Sequence, residues 1–319
     1  MDIFNVVFQP VVTLLGIGVL GFWIARRGII LENVIGVLSR LAIDIALPSL
    51  VFANIMLDFA PAKYPEWWQL PLWWLFFTAV VAVLTAVTMF VSRRGTRSEF
   101  ALSLFFQNGI FFPLIIITGI FGKDTHYLAQ LFIFIVLHPS LYFGTYHLFF
   151  RNKPGAEKEH KLNWRRIVNP VLVITIVAMA LRLFSVSSYL PPFFVSIFHI
   201  VGAMALPLLM LILGGSLYMD FHRRGKLFTG EVAKFVLVKN IVFPLAFLGI
   251  LILLRPDYNI ALIMILQAAV PPITGIPIVT EREGGNRAIT NQFILASFIF
   301  SIVSIPAIFT VFNTYFPMP

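Results

Sequence analysis

Apolar residues dominate the chain in long unbroken blocks, and short polar stretches separate one block from the next. A helix needs roughly 20 predominantly apolar residues to cross the ~30 Å hydrocarbon core of a bilayer. Ten stretches meet that length, at approximately 4–25, 33–57, 67–91, 99–121, 126–149, 167–185, 191–218, 229–254, 258–280 and 288–312. Within each block apolar residues follow one another without the two-residue alternation of a membrane strand, so a barrel is excluded. In lipid every backbone amide must bond within its own segment or in a closed barrel, and the remaining solution is the helix. The pattern predicts an all-α polytopic membrane protein of ten transmembrane helices. The second and seventh blocks are long enough to tilt or kink.

Composition agrees. Hydrophobic residues make up 59% of the 319 positions and charged residues 12%, with a mean hydropathy of +0.93. Soluble domains carry about 25% charged residues, so a water-exposed globule is excluded. Cysteine is absent, which removes disulfides and thiolate metal sites. The net charge of +9 does not read as a nucleic-acid surface, because the basic residues sit in short loops between apolar blocks. Their placement instead sets topology. Loops after odd-numbered blocks hold Arg26, Arg27, Arg93, Arg94, Arg97, Arg151, Lys153, Lys158, Lys161, Arg165, Arg166, Arg223, Arg224, Lys226, Arg282 and Arg287. The opposite side holds Lys63, Lys123, Arg182 and Arg255. Positive charge accumulates on the cytoplasmic side, so both termini are expected outside. The residues before the first block carry no basic n-region, and no cleaved signal peptide is expected.

The longest hydrophilic stretch, 151–166, divides the chain into halves, 1–150 and 167–319. Landmarks recur between the halves at nearly one offset: Pro10 with Pro170, Pro48 with Pro207, and Gln107 with Gln267. An odd number of helices per repeat sets the halves in opposite orientations, so the expected architecture is two inverted five-helix repeats joined by a basic cytoplasmic linker. Inverted repeats point to alternating access, with a site near the midplane where helices are broken.

Two equivalent blocks carry the residues that break helices. The fourth reads Gln107, Asn108, Gly109 and then Pro113; the ninth reads Gln267, Pro271, Pro272, Thr274, Gly275 and Pro277. Proline lacks an amide donor and clashes with the carbonyl four residues back. Such residues in one helix also fit a plain kink. Their presence in both repeat-related helices favours a substrate site, whose freed amides would face an anion. Ionisable residues at membrane depth are the second signal, since an unpaired charge there is costly. Lys239, followed by Asn240, falls near the middle of the eighth block and is a candidate counter-charge for an anionic substrate. Asp44 and Arg40 lie one helical turn apart on one face, as an ion pair or a coupling site. His138 and His199 are candidate proton relays, although a lone histidine at this depth also fits a hydrogen-bonded packing role. Lys234 lies nearer the block's end and is expected only to snorkel. Trp67, Trp68, Trp73 and Trp74 cluster at an expected interface, as an aromatic belt does.

GFWIARRGII (Gly21 to Ile30), LSRLAIDIALPSLVF (Leu38 to Phe52), AAVPPITGIPIVTEREGGNRAI (Ala268 to Ile289) and SIP (Ser304 to Pro306) resemble, in order and spacing, the auxin efflux carrier family, whose prokaryotic members share the short central loop. The resemblance implies a ten-helix fold related to bile acid sodium symporters. In that fold the fourth and ninth helices are unwound and cross at the binding site, here Gln107 to Pro113 and Gln267 to Pro277. It also implies organic anion substrates, among them auxin and dicarboxylates such as malonate or malate, and a homodimer in a plasma membrane, for a prokaryotic member the inner membrane. QNGIFFP departs from the family's usual Asn-x-Gly-Phe-x-Gly-x-Pro, with Phe111 and Phe112 where smaller residues are common.

The expected function is therefore a secondary or facilitative carrier of small organic anions. Coupling to protons, to sodium or to neither stays open. The alternative is a sodium-coupled carrier of larger amphipathic anions such as bile acids, and a channel is less favoured. No hydrolase, zinc-protease or nucleotide-binding pattern is present, so neither an enzyme nor a cofactor is expected.

Overall fold

The computed structural model describes residues 3–122, 125–151, 168, 170–222 and 227–319. The expected linker at 151–166 lies outside the described residues apart from Arg151, as do Lys123, Arg223, Arg224 and Lys226.

Among the described residues the chain is helical and has no strand. Seven segments are long and apolar enough to cross a membrane: Phe4–Arg26, Asn33–Asp58, Gln69–Val91, His126–Phe150, Pro192–Met219, Thr229–Leu254 and Arg287–Tyr315. Three further apolar helices are shorter, Phe111–Phe121, Pro170–Leu183 and Tyr258–Ala269. They coincide with the fourth, sixth and ninth expected blocks. Side chains such as Val19, Val83, Val87 and Leu253 point outward and are 63–84% exposed. Apolar surface of that extent on a single chain needs a non-aqueous solvent.

In chain order the helices are α1 (Ile3–Arg26), α2 (Glu32–Arg40), α3 (Leu47–Asp58), α4 (Gln69–Thr88), α5 (Arg97–Phe105), α6 (Phe111–Phe121), α7 (His126–Phe134) and α8 (His138–Thr145). After the described gap come α9 (Pro170–Leu183), α10 (Pro192–Ala203), α11 (Ala205–His222), α12 (Thr229–Leu237), α13 (Phe243–Leu254), α14 (Tyr258–Ala269), α15 (Ile276–Arg282) and α16 (Arg287–Tyr315). Two joints are π-turns rather than breaks. Leu41–Ala46 connects α2 to α3, and Val238–Val242 connects α12 to α13. Each precedes a proline, Pro48 or Pro244, whose missing amide loosens the preceding turn. A π-turn swings its side chains out of helical register and is frequent at functional sites.

Glycine sets the tightest helix contact. α1 packs on α11 at Gly18, Gly21 and Gly214, where backbone meets backbone. Between membrane helices, where lipid is as apolar as leucine, such close approach is a main source of attraction. α10 meets α3 the same way at Gly202, whose Cα faces the Leu50 backbone.

The end of the bundle carrying the basic loops is fastened by two buried glutamates. Glu231, 4% exposed, accepts hydrogen bonds from the Ser92 hydroxyl at 2.8 Å and the Arg93 amide at 3.2 Å, and ion-pairs with Lys234 at 2.9 Å. Glu99 accepts from the Asn286 amide at 2.8 Å, while the Asn286 side chain caps α16 by accepting from Ile289. Lys234, expected to snorkel, is thus held by a carboxylate. Glu231→Ala should strand the Arg93 amide and break the pair with Lys234, lowering stability by about 1–3 kcal/mol. Glu281→Ala, which removes a more exposed pair with Arg287, should cost about 1 kcal/mol at most. Thermal midpoints of the two detergent-purified variants would read the difference.

Candidate functional site

Both blocks expected to break do so, at the same place in their pattern. α5 stops at Phe105 and α6 starts at Phe111; α14 stops at Ala269 and α15 starts at Ile276. Pro271 and Pro272 explain the second stop, since they cannot supply amides to continue α14, while Pro113 and Pro277 sit in first turns, where no amide donor is required. The freed groups of one break are satisfied by the other. The Asn108 amide donates to the Pro271 carbonyl at 2.8 Å, and the Ile273 amide donates to the Phe106 carbonyl at 3.0 Å. Gln107 and Pro272 face each other as an antiparallel bridge.

Side chains tighten the pairing. Gln107 Nε2 donates to Gln267 Oε1 at 3.3 Å, and Gln267 Nε2 donates to the Gly109 carbonyl at 2.7 Å. Gln267 has no exposed surface and Gln107 has 3%. The two glutamines that match between the halves of the sequence therefore bond directly to each other. Gly109 leaves room for this, because a Cβ there would overlap Gln267 Oε1. Asn108 uses its Oδ1 on the Phe111 amide at 3.4 Å, at the start of α6, and its Nδ2 is buried without a partner. Thr274 and Gly275 are half-buried; Pro113, Pro271, Pro272 and Pro277 are buried.

Around the breaks lie buried polar groups that nothing saturates. His138 opens α8 after a disrupted turn at 135–137, its ring against the Gln107 main chain and near Phe106 and Trp74. Its Nε2 has no hydrogen-bond partner. One turn on, the Tyr142 hydroxyl is buried and unpartnered, 3.2 Å from where a Cβ on Gly275 would stand. Lys239 is 1% exposed and presents its ammonium to the Phe243 ring, 5.3 Å from the centroid. No described carboxylate lies within ion-pair distance of it.

The remaining candidates lie elsewhere. Asn240 is spent on α16: its Nδ2 donates to the Ser297 carbonyl at 3.2 Å and to Ser304 at 3.4 Å, and its Oδ1 accepts from Ser297 at 2.8 Å. It fixes the π-turn that carries Lys239. Arg40 and Asp44 are both exposed on the outer face of the first π-turn region, and no ion pair joins them. Trp74 departs from the belt expectation. It is 2% exposed and its ring meets His138, while Trp68 stays exposed. Tyr142 was not singled out from sequence, although its place four residues after His138 puts the two on one helical face. A cavity of about 810 Å³ shares no lining residue with this cluster; it is lined by α1, α3, α6, α7, α10 and α11 and includes Gln9, Asn54, Thr118 and His199.

A sheath of exposed apolar helices around a buried polar centre defines a multi-pass membrane protein. Residues 6–309 match the family of the description "Membrane transport protein", and the chain belongs to that family, the auxin efflux carriers. It is a membrane transporter. No curated protein matches the chain.

Proposed function

We propose that this protein is a secondary carrier of small organic anions, built from ten membrane helices in two inverted halves and working by alternating access about the paired breaks. The observation that carries the reading is Lys239, a buried cation with no carboxylate within ion-pair distance among the described residues. An isolated charge at membrane depth costs several kcal/mol unless it is paired. A substrate carboxylate supplies the missing charge, while the Asn108 Nδ2 and Tyr142 hydroxyl, both unpartnered, supply hydrogen bonds. Support for the inverted halves comes from the bond between Gln107 and Gln267, equivalent residues 160 positions apart. A twofold relation brings equivalent residues together at its axis. In this reading the basic loops face the cytoplasm and the termini face outside. Phe111 and Phe112, both buried at the start of α6, narrow the space beside the breaks and favour small anions over bile-acid-sized ones.

The test is thermal stabilisation of the detergent-purified protein by mono- and dicarboxylates, indole acids and bile acids, each with and without sodium. A ligand bound only by the folded state raises stability by RT ln(1 + [L]/Kd), about 2.7 kcal/mol at one hundred times Kd. Small carboxylates should raise the midpoint of the wild type and of Lys234→Met but not of Lys239→Met. Stabilisation confined to cations or neutral compounds would refute the anion reading.

A further inference from the structure

The cavity of about 810 Å³ is built from residues that the paired breaks do not use. Four helices each contribute polar residues to its lining: Gln9 and Thr13 from α1, Asn54 from α3, Thr118 from α6 and His199 from α10. Their hydrogen-bonding capacity is one-sided. The Thr13 and Thr118 hydroxyls donate to carbonyls one turn back, those of Gln9 at 2.9 Å and Leu114 at 2.6 Å. Asn54 Nδ2 donates to the Leu50 carbonyl at 2.8 Å. With those protons spent on the backbone, the three side chains keep only oxygen lone pairs, and towards a ligand they accept. The Gln9 side-chain amide and the His199 ring make no hydrogen bond among the described residues. They supply the donors.

No Lys, Arg, Asp or Glu lines the cavity. An ionised carboxylate accepts and cannot donate, so it would meet the oxygens of Thr13, Asn54 and Thr118 with no fixed charge to offset the loss of its hydration. A head group that carries N–H or O–H donors and no charge fits the same oxygens. The walls between the polar groups are apolar, among them Val6, Leu114, Leu128 and Leu206. Sites for drug-sized ligands combine such walls with a few placed polar groups, in volumes of roughly 300–1,000 Å³.

We propose that this cavity is a second ligand site, for an uncharged amphipathic molecule with an apolar body and a head that donates hydrogen bonds, as a carboxamide does. The carboxamide nitrogen offers two donors to the Asn54 and threonine oxygens, and its carbonyl accepts from Gln9 or His199. The site differs from the paired breaks in residues and in ligand charge, and it stands independently of the carrier reading. Because six helices line it, an occupant joins α6 and α7 to α1, α3, α10 and α11 and raises the stability of the fold.

The experiment uses the full-length, detergent-purified protein and two probes, 4-phenylbutanamide and 4-phenylbutanoate, which share a body and differ in charge. Both are measured on the wild type and on Lys239→Met, which lacks the cation of the anion site. The amide should raise the thermal midpoint of the two proteins equally, and the carboxylate should leave that of Lys239→Met unchanged. Asn54→Leu and Thr118→Val each remove one acceptor and should weaken amide binding about tenfold, the scale of a single hydrogen bond. Ala203→Phe, which adds a ring to a residue of the lining, should abolish binding. Should that variant fail to fold, the two smaller substitutions decide. No rise with the amide, or a rise that Asn54→Leu and Thr118→Val leave unchanged, overturns the proposal. So does an equal rise with both probes in Lys239→Met, since the cavity would then accept an anion. If malonate fails to stabilise the wild type while the amide succeeds, the anion reading falls and this site stands.

Discussion

Gly214→Ala should destabilise the protein by about 3 kcal/mol or more, close to the upper end of what overpacking does in a folded interior. A methyl at this position would overlap the Gly18 carbonyl oxygen and stand 2.7 Å from the Phe22 amide nitrogen. Both are backbone atoms of α1, so no rotamer change relieves the clash and the two helices must separate. Separation would also open the contact at Gly21, whose Cα faces the Leu211 backbone. The internal control is Gly249→Ala, where a methyl meets nothing within 4 Å. There the better helix propensity of alanine should leave stability unchanged or raise it by about 0.5–1 kcal/mol. Thermal midpoints of the two variants in the same detergent would check the contrast. Equal midpoints would mean that α1 and α11 do not pack through these glycines.

Neither glycine stands out in the sequence, and this marks where sequence reading stops. The helices were legible because lipid imposes a length: seven expected blocks are helices long enough to cross a membrane, and the other three coincide with shorter apolar helices. The breaks were legible because proline acts locally, removing a donor wherever it stands. The repeat offset singled out Gln107 and Gln267, though not that they would bond to each other rather than turn towards a substrate. What escaped depends on partners distant in sequence. Trp74 looks like its belt neighbours until α4 is rotated against α8, and Asn240 looks like a ligand until α16 brings Ser297 and Ser304 to it. The π-turns at Leu41–Ala46 and Val238–Val242 escaped as well, since their lead-in sequences read as continuous helix. Tyr142 carries a signal of its own in the sequence, since its four-residue spacing after His138 places the two on one helical face.

Gln267→Leu should have the second large effect, because this one side chain ties the two breaks together twice. Its loss leaves Gln107 Nε2 without an acceptor and the Gly109 carbonyl without its donor, both in surroundings closed to solvent. Each stranded buried group costs about 1–3 kcal/mol, so the sum is on the order of 4 kcal/mol. Anion binding should disappear as well, since the break that presents Asn108 is held in place by the same tie. A direct ligand role for Gln267 predicts the loss of binding without the loss of stability, so the thermal midpoint separates the two. The double variant Gln107→Leu/Gln267→Leu sharpens the distinction. With both amides replaced by apolar side chains, only the Gly109 carbonyl is left stranded, and the pair should be more stable than the sum of the single losses by about 1 kcal/mol or more. Strict additivity would mean that the two glutamines act independently, and the tie between the breaks would then rest on the backbone bonds of Asn108 and Ile273 alone.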